Sequence, residues 1–124
     1  MLSTNANDIL RALKTLRAPA YTGEYDLHGL ISTALDEAGL AFEHERKLAV
    51  GMRADFFIGG CVVEVKKGRP VRSKLIRQAA RYLGCEGVTS LIVVANKNAP
   101  LPNEILGKPV YMLSLDKLWG VSLP

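Results

Sequence analysis

The alternation of apolar and polar positions is sharpest over residues 53–66, which read Arg-Ala-Asp-Phe-Phe-Ile-Gly-Gly-Cys-Val-Val-Glu-Val-Lys. Two β-rich runs flank Gly59 and Gly60, a pair that tolerates the positive φ angles of a primed two-residue turn, so the pattern predicts a hairpin. With the glycines as the loop, Ile58 pairs with Cys61, Phe57 with Val62, Phe56 with Val63 and Asp55 with Glu64. One face then carries Ala54, Phe56, Ile58, Cys61, Val63 and Val65, all apolar, and is the expected core face. Asp55, Glu64 and Lys66 project together from the other by the period-two rule.

Helical spacing appears first over residues 8–16, where Ile9, Leu10, Leu13 and Leu16 share a face and Ala18-Pro19 ends the run. A longer helix is predicted over about 24–38, with Thr22 as N-cap, Gly39 as stop, and a stripe of Leu27, Leu30, Ile31, Ala34, Leu35 and Ala38. Glu24 lies three residues before Leu27 and seven before Ile31, on the line of that stripe. A carboxylate there either meets a partner or complements the dipole of the first turn. Residues 42–49, charged from 43 to 47, suit an exposed or edge strand.

After Pro70 the spacing predicts a helix over 72–83. Leu75, Ile76, Ala79, Tyr82 and Leu83 occupy one side, Lys74, Arg77 and Arg81 the other, and Gln78 the border. Residues 90–95 are continuously apolar, as in a buried central strand. Residues 110–115 read as a fifth strand, and the Pro-, Asn- and Lys-rich stretch 96–108 as an exposed loop. The order α-α-β-β-β-α-β-β predicts one α/β domain over residues 1–124, a mixed sheet of about five strands flanked by helices.

Composition narrows the class of protein. Apolar residues make up 48% of the chain, yet no run approaches the roughly 18 residues needed to cross a bilayer, so no membrane partner is expected. The N-terminus lacks a secretory pattern, and Cys61 and Cys85 lack ligand spacing. Buried thiols and a cytoplasmic location follow as expectations. The net charge of +4 is modest, but no acidic residue falls between Glu64 and Glu86. That interval holds Lys66, Lys67, Arg69, Arg72, Lys74, Arg77 and Arg81, a one-signed run that favours a polyanionic partner. With Arg53, the six residues after Lys66 are the candidate nucleic-acid contacts. His28 and His44 read as structural histidines. Trp119, Tyr111 and Met112 read as packing residues. There is no glycine-rich phosphate loop, no H-E-x-x-H and no zinc ligand cluster.

Two carboxylates opposed across a hairpin stand roughly 4.5 to 5.5 Å apart at Cβ and repel. A shared proton, a neighbouring cation or a bound divalent ion offsets that, and the ion gains most from the geometry. Mg²⁺ needs few protein ligands, so Asp55, Glu64 and the backbone carbonyl of Val65 form a sufficient set, with Mn²⁺ as substitute. Lys66 on the same face can position an attacking water or stabilise phosphorane charge.

Gly51-Met-Arg-Ala-Asp55, Glu64-Val-Lys66 and Arg77-Gln78-Ala-Ala-Arg81-Tyr82, preceded by Glu24, together resemble the PD-(D/E)XK nuclease superfamily. This is the fold of many restriction enzymes and archaeal Holliday-junction resolvases. The resemblance spans residues 24–95, and Ala54 stands where the motif has proline. It implies a restriction-endonuclease-like core over about 22–115, with Asp55 and Glu64 on metal and Lys66 serving the attacking water. Glu24 becomes the first-helix acid and a further candidate ligand, and Gln78 the supporting polar residue. The implied activity is a Mg²⁺-dependent endonuclease on DNA, structure-selective for branched or junction DNA or else nonspecific toward duplex or single strands. A homodimer is expected where both strands of a junction are cut. The alternatives are a catalytically inactive DNA-binding module or a protein-interaction subunit in a recombination, repair or phage assembly.

Overall fold

Ser90–Ala95 forms a strand in which every residue is buried, and the sheet is built outward from it. The structure, a computed structural model, describes residues 5–16 and 24–118. In chain order the elements are α1 (Ala6–Leu13), α2 (Glu24–Glu37), β1 (Glu43–Ala49), β2 (Met52–Ile58), β3 (Cys61–Lys66), α3 (Arg72–Leu83), β4 (Ser90–Ala95), β5 (Glu104–Ile105), β6 (Lys108–Ser114) and α4 (Leu115–Leu118). The sheet runs β1-β2-β3-β4-β6-β5. Its first three strands are antiparallel neighbours, whereas β4 lies parallel to β3 and to β6. The fold is α/β with a mixed sheet.

The hairpin forms in the predicted register over three pairs, Ile58 with Cys61, Phe57 with Val62 and Phe56 with Val63. Gly59 and Gly60 take φ of 54° and 93°, the left-handed values that a primed turn demands and that a side chain resists. The ladder stops there, before the expected pairing of Asp55 with Glu64.

Helices cover both faces of the sheet. Ile9 and Leu13 of α1 and Leu27, Ile31 and Leu35 of α2 pack on Phe56, Ile58, Cys61, Val63 and Val65. On the other face Leu75, Ala79, Tyr82 and Leu83 of α3 pack on Val62, Leu91, Val93 and Val110. Two expectations are corrected here. Ala54 joins the α3 cluster rather than the apolar face of its hairpin. The face that carries Glu64 is also interior, because the crossover between the parallel strands β3 and β4 lays α3 across it.

Helix α1 begins earlier than its apolar spacing implies. Asn5 caps it, Asp8 N donating to Asn5 Oδ1 at 3.0 Å and Asn5 N to Asp8 Oδ2 at 3.4 Å, the reciprocal capping box. Thr22 and Trp119 lie outside the described residues.

The stretch 96–108 is not wholly loop. Glu104 and Ile105 pair antiparallel with Pro109 and Lys108, so the sheet has six strands rather than five. Lys108, read from sequence as a solvated loop residue, donates from Nζ to the carbonyls of Leu83 and Val88, both at 2.7 Å. A cation at the C-terminus of α3 satisfies a terminal carbonyl and opposes the negative end of the helix dipole. Lys108→Met keeps the apolar stem and removes both bonds. It is expected to cost about 1–2 kcal/mol, read as a lower urea midpoint with an unchanged slope. An unchanged midpoint would mean that water replaces the ammonium without loss.

Candidate active site

Where the β2–β3 ladder ends, a side chain takes over from the backbone. Val65 N–H donates to Asp55 Oδ2 at 2.7 Å, so the carboxylate satisfies an amide that would otherwise need a partner strand. Asp55 is thereby tied to β3 just beyond the last ladder pair. Glu64 follows on the α3 side of β3.

Glu64 is 6% exposed, which makes it the one buried carboxylate among the described residues. Both of its oxygens are engaged. Tyr82 Oη lies 2.8 Å from Oε1, and 2.9 Å from the carbonyl of Arg53, to either of which it can donate. Lys66 Nζ lies 3.1 Å from Oε2, and Gln78 Nε2 donates to the same oxygen at 3.3 Å. The expected grouping of Glu64, Lys66 and Gln78 is present, and Tyr82 is an addition. Sequence placed Tyr82 on the apolar side of α3 and gave it no role of its own. The signal that could have found it is its spacing from Gln78, i and i+4 on the α3 flank that meets β3.

Electrostatics in this cluster are unbalanced. Burial, then the charge of Asp55, pushes the Glu64 carboxyl above its usual range, and Lys66 and the hydroxyl of Tyr82 recover only part of that. The Tyr82 hydroxyl is pushed up as well, by burial and then by Glu64. A cavity of about 180 Å³ opens onto the cluster, lined by Gly51, Met52, Arg53, Glu64, Gln78, Arg81 and Tyr82. Two larger clefts, of about 500 and 420 Å³, are lined by no carboxylate or histidine and lie away from this chemistry.

The basic residues divide into two sets. Lys74, Arg77 and Arg81 line a groove along α3 with Gln78. Arg53 and Arg81 reach the cavity that holds Glu64. Arg69 and Arg72 instead bind the loop after β4, donating to the carbonyls of Asn98 and Pro100 at 2.6 and 2.9 Å. Lys67 is exposed. Glu24 opens α2, and its side chain lies outside what the structure describes.

The two cysteines carry no disulfide. Burial pushes the Cys61 thiol up to about 11, which leaves it an inert packing group. Among the described residues no helix is long and apolar enough to cross a membrane. His28 and His44 are not isolated but in contact, Nδ1 to Nε2 at 2.9 Å. No family model matches the chain, and no curated protein or solved structure matches it either.

Proposed function

We propose that the chain is a metal-dependent endonuclease with a restriction-endonuclease-like core, acting on the phosphodiester bonds of DNA. The observation that carries this is the buried Glu64, held on both oxygens beside Asp55 and Lys66 at the floor of a cavity bordered by arginines. A carboxylate desolvated next to a second one is costly in a resting fold, and such groups gather where chemistry is done.

The donor set suits a hard divalent cation. Asp55 and Glu64 supply anionic oxygens, and each raises the charge deficit that a cation offsets. The carbonyl of Val65 points to the same strand edge as its amide, toward Asp55, because a strand residue directs both groups to one neighbour. Asp55, Glu64 and that carbonyl would hold the ion, with Glu24 a further candidate ligand. When bound, Mg²⁺ or Mn²⁺ lowers the pKa of water, screens the phosphate and stabilises the leaving oxygen.

The chain's own groups do the rest. Lys66, oriented by Glu64, places an ammonium where an attacking water is positioned or phosphorane charge develops. Gln78 and Tyr82 fix the rotamer of Glu64. Lys74, Arg77 and Arg81 lay a row of cations along α3, leading to the cavity and suited to a phosphate backbone. Val50, 90% exposed, tips the turn beside Gly51 of the cavity lining. An apolar group at that lip suits an unstacked base at a branch point, which favours the structure-selective reading over the nonspecific one. Symmetric cleavage of a junction would require a homodimer.

The test is a labelled panel of single strand, duplex, flap and four-way junction with Mg²⁺, Mn²⁺ or EDTA. Cleavage with either metal and none with EDTA is expected, with branched substrates cut fastest. Tight binding without cleavage of any substrate would favour the alternative, a DNA-binding module that has the fold and not the activity.

A further inference from the structure

We propose that His28, His44 and Glu45 form a second metal site, for a transition-metal ion of the Zn²⁺ class, separate from the Asp55 and Glu64 centre. His28 is buried on α2, and His44 and Glu45 lie on the edge strand β1. Nδ1 of His28 is 2.9 Å from Nε2 of His44, that nitrogen is 4.0 Å from Oε2 of Glu45, and the three ligand atoms all lie within 4.8 Å of one another. Tetrahedral Zn²⁺ with bonds of about 2.0–2.1 Å sets its ligand atoms about 3.3 Å apart. The imidazoles would open by about 0.4 Å, and the carboxylate close by about 0.7 Å on His44 and by up to about 1.5 Å on His28, movements within the reach of side-chain rotation.

The backbone at Glu45 contributes to this arrangement. Successive strand residues point to opposite faces, so Glu45 in a regular strand would face away from His44. Its φ is +57°, a left-handed value at a residue with a side chain, and it falls inside β1 between the paired positions His44 and Arg46. The alternation is broken there and the carboxylate comes back toward the imidazole. Such a conformation is disfavoured at a residue with a side chain and persists where the surroundings require it. Phe56 restricts both rings, stacking on His44 at 4.7 Å and lying 5.4 Å from His28.

The two sites would sort ions by ligand chemistry. Two imidazoles and one carboxylate favour Zn²⁺ and its neighbours, whereas the all-oxygen set at Asp55 and Glu64 favours Mg²⁺. They also lie on opposite faces of the sheet. His28 and His44 pack on Phe56 in the α2 cluster, and Glu64 is held by α3. The side chain of His44 is 37% exposed, which leaves an entry path and room for water as a fourth ligand. The ion would clamp α2 to the sheet's edge, where β1 is otherwise held mainly by β2.

The experiment is a Co²⁺ titration of the full chain in excess Mg²⁺, read by visible absorption and paired with Zn²⁺-dependent thermal melts. One equivalent of Co²⁺ with a tetrahedral band is expected, and Zn²⁺ should raise the Tm. His44→Ala should weaken Co²⁺ binding on the order of 100-fold, since loss of an outer-shell partner alone costs 10–100-fold. Glu45→Gln should weaken it about tenfold, and Asp55→Asn should leave it intact. Both altered side chains at 44 and 45 lie on the surface, and circular dichroism verifies their folding. A wild type with no band and no Tm shift would reduce the pair to a hydrogen bond between histidines. A band kept in His44→Ala, unchanged in Glu45→Gln, or lost in Asp55→Asn would overturn the ligand assignment.

Discussion

Lys66→Ala and Glu64→Ala are expected to abolish cleavage while leaving DNA affinity within a few-fold of wild type. Lys66 bonds the buried Glu64 carboxylate at 3.1 Å, so its charge acts on that group at short range. Removing one preorganised donor of this kind costs about 10²–10³ in rate. Glu64→Ala removes a proposed metal ligand, leaves Lys66 without its carboxylate and takes from Tyr82 and Gln78 the carboxylate that both bond, so its loss should be larger. In the proposed function, binding belongs to other residues. Lys74 and Arg77 lie along α3 outside the acidic cluster, with Arg81 at its border, and affinity from phosphate contacts falls with salt at about −0.9 per contact on a log–log plot. Lys66→Ala should shift that slope by at most about 1. Single-turnover rates and salt titrations on one junction substrate separate the effects. Equal residual cleavage in wild type and both variants would remove these residues from the chemistry and leave Lys66 as a plain counterion of Glu64.

Much of this geometry is local and therefore readable. The hairpin register follows from two glycines and the period of two, and α3 keeps its predicted bounds because Pro70 and its apolar spacing are themselves local signals. The capping box of Asn5 and Asp8 was equally readable, since the two residues stand three apart. What escaped was non-local. The burial of Glu64 comes from a helix that crosses its face, and the Tyr82 bond spans 18 positions. His28 and His44, 16 positions apart, each look solitary in sequence, and only the docking of α2 on β1 joins them. Asp55 leaves the ladder because a carboxylate competes for an amide, a choice that strand periodicity does not encode. The pairing of Glu104 with Pro109 is too short to leave a pattern, and the left-handed turn at Glu45 occurs at a residue type that gives no warning of it.

Glu64→Gln is expected to raise the stability of the metal-free protein at neutral pH by several degrees in Tm. The sign follows from linkage. Burial, then the charge of Asp55, holds the folded-state pKa of Glu64 above its unfolded value, so folding favours the protonated acid. The stability this group contributes is complete below its unfolded pKa, near the ordinary carboxylate value of about 4.3, and is lost as pH rises through the raised folded value. At pH 7 the ionised carboxylate is therefore a burden, relieved only in part by Lys66 at 3.1 Å and Tyr82 at 2.8 Å. Glutamine has nearly the same shape, still accepts from Tyr82 and carries no charge. Wild type and variant should melt together at pH 4 and separate as pH rises, the variant being higher. Mg²⁺ should act in the opposite sense. An ion that binds only the folded wild type contributes about 2.7 kcal/mol at 100 times its Kd, and the variant, short of one anionic ligand, should gain far less. The two curves would then converge or cross as Mg²⁺ is added at pH 7. A variant less stable than wild type at every pH would mean that the Lys66 ion pair outweighs the cost of burial, and Glu64 would then be a structural residue rather than a strained ligand.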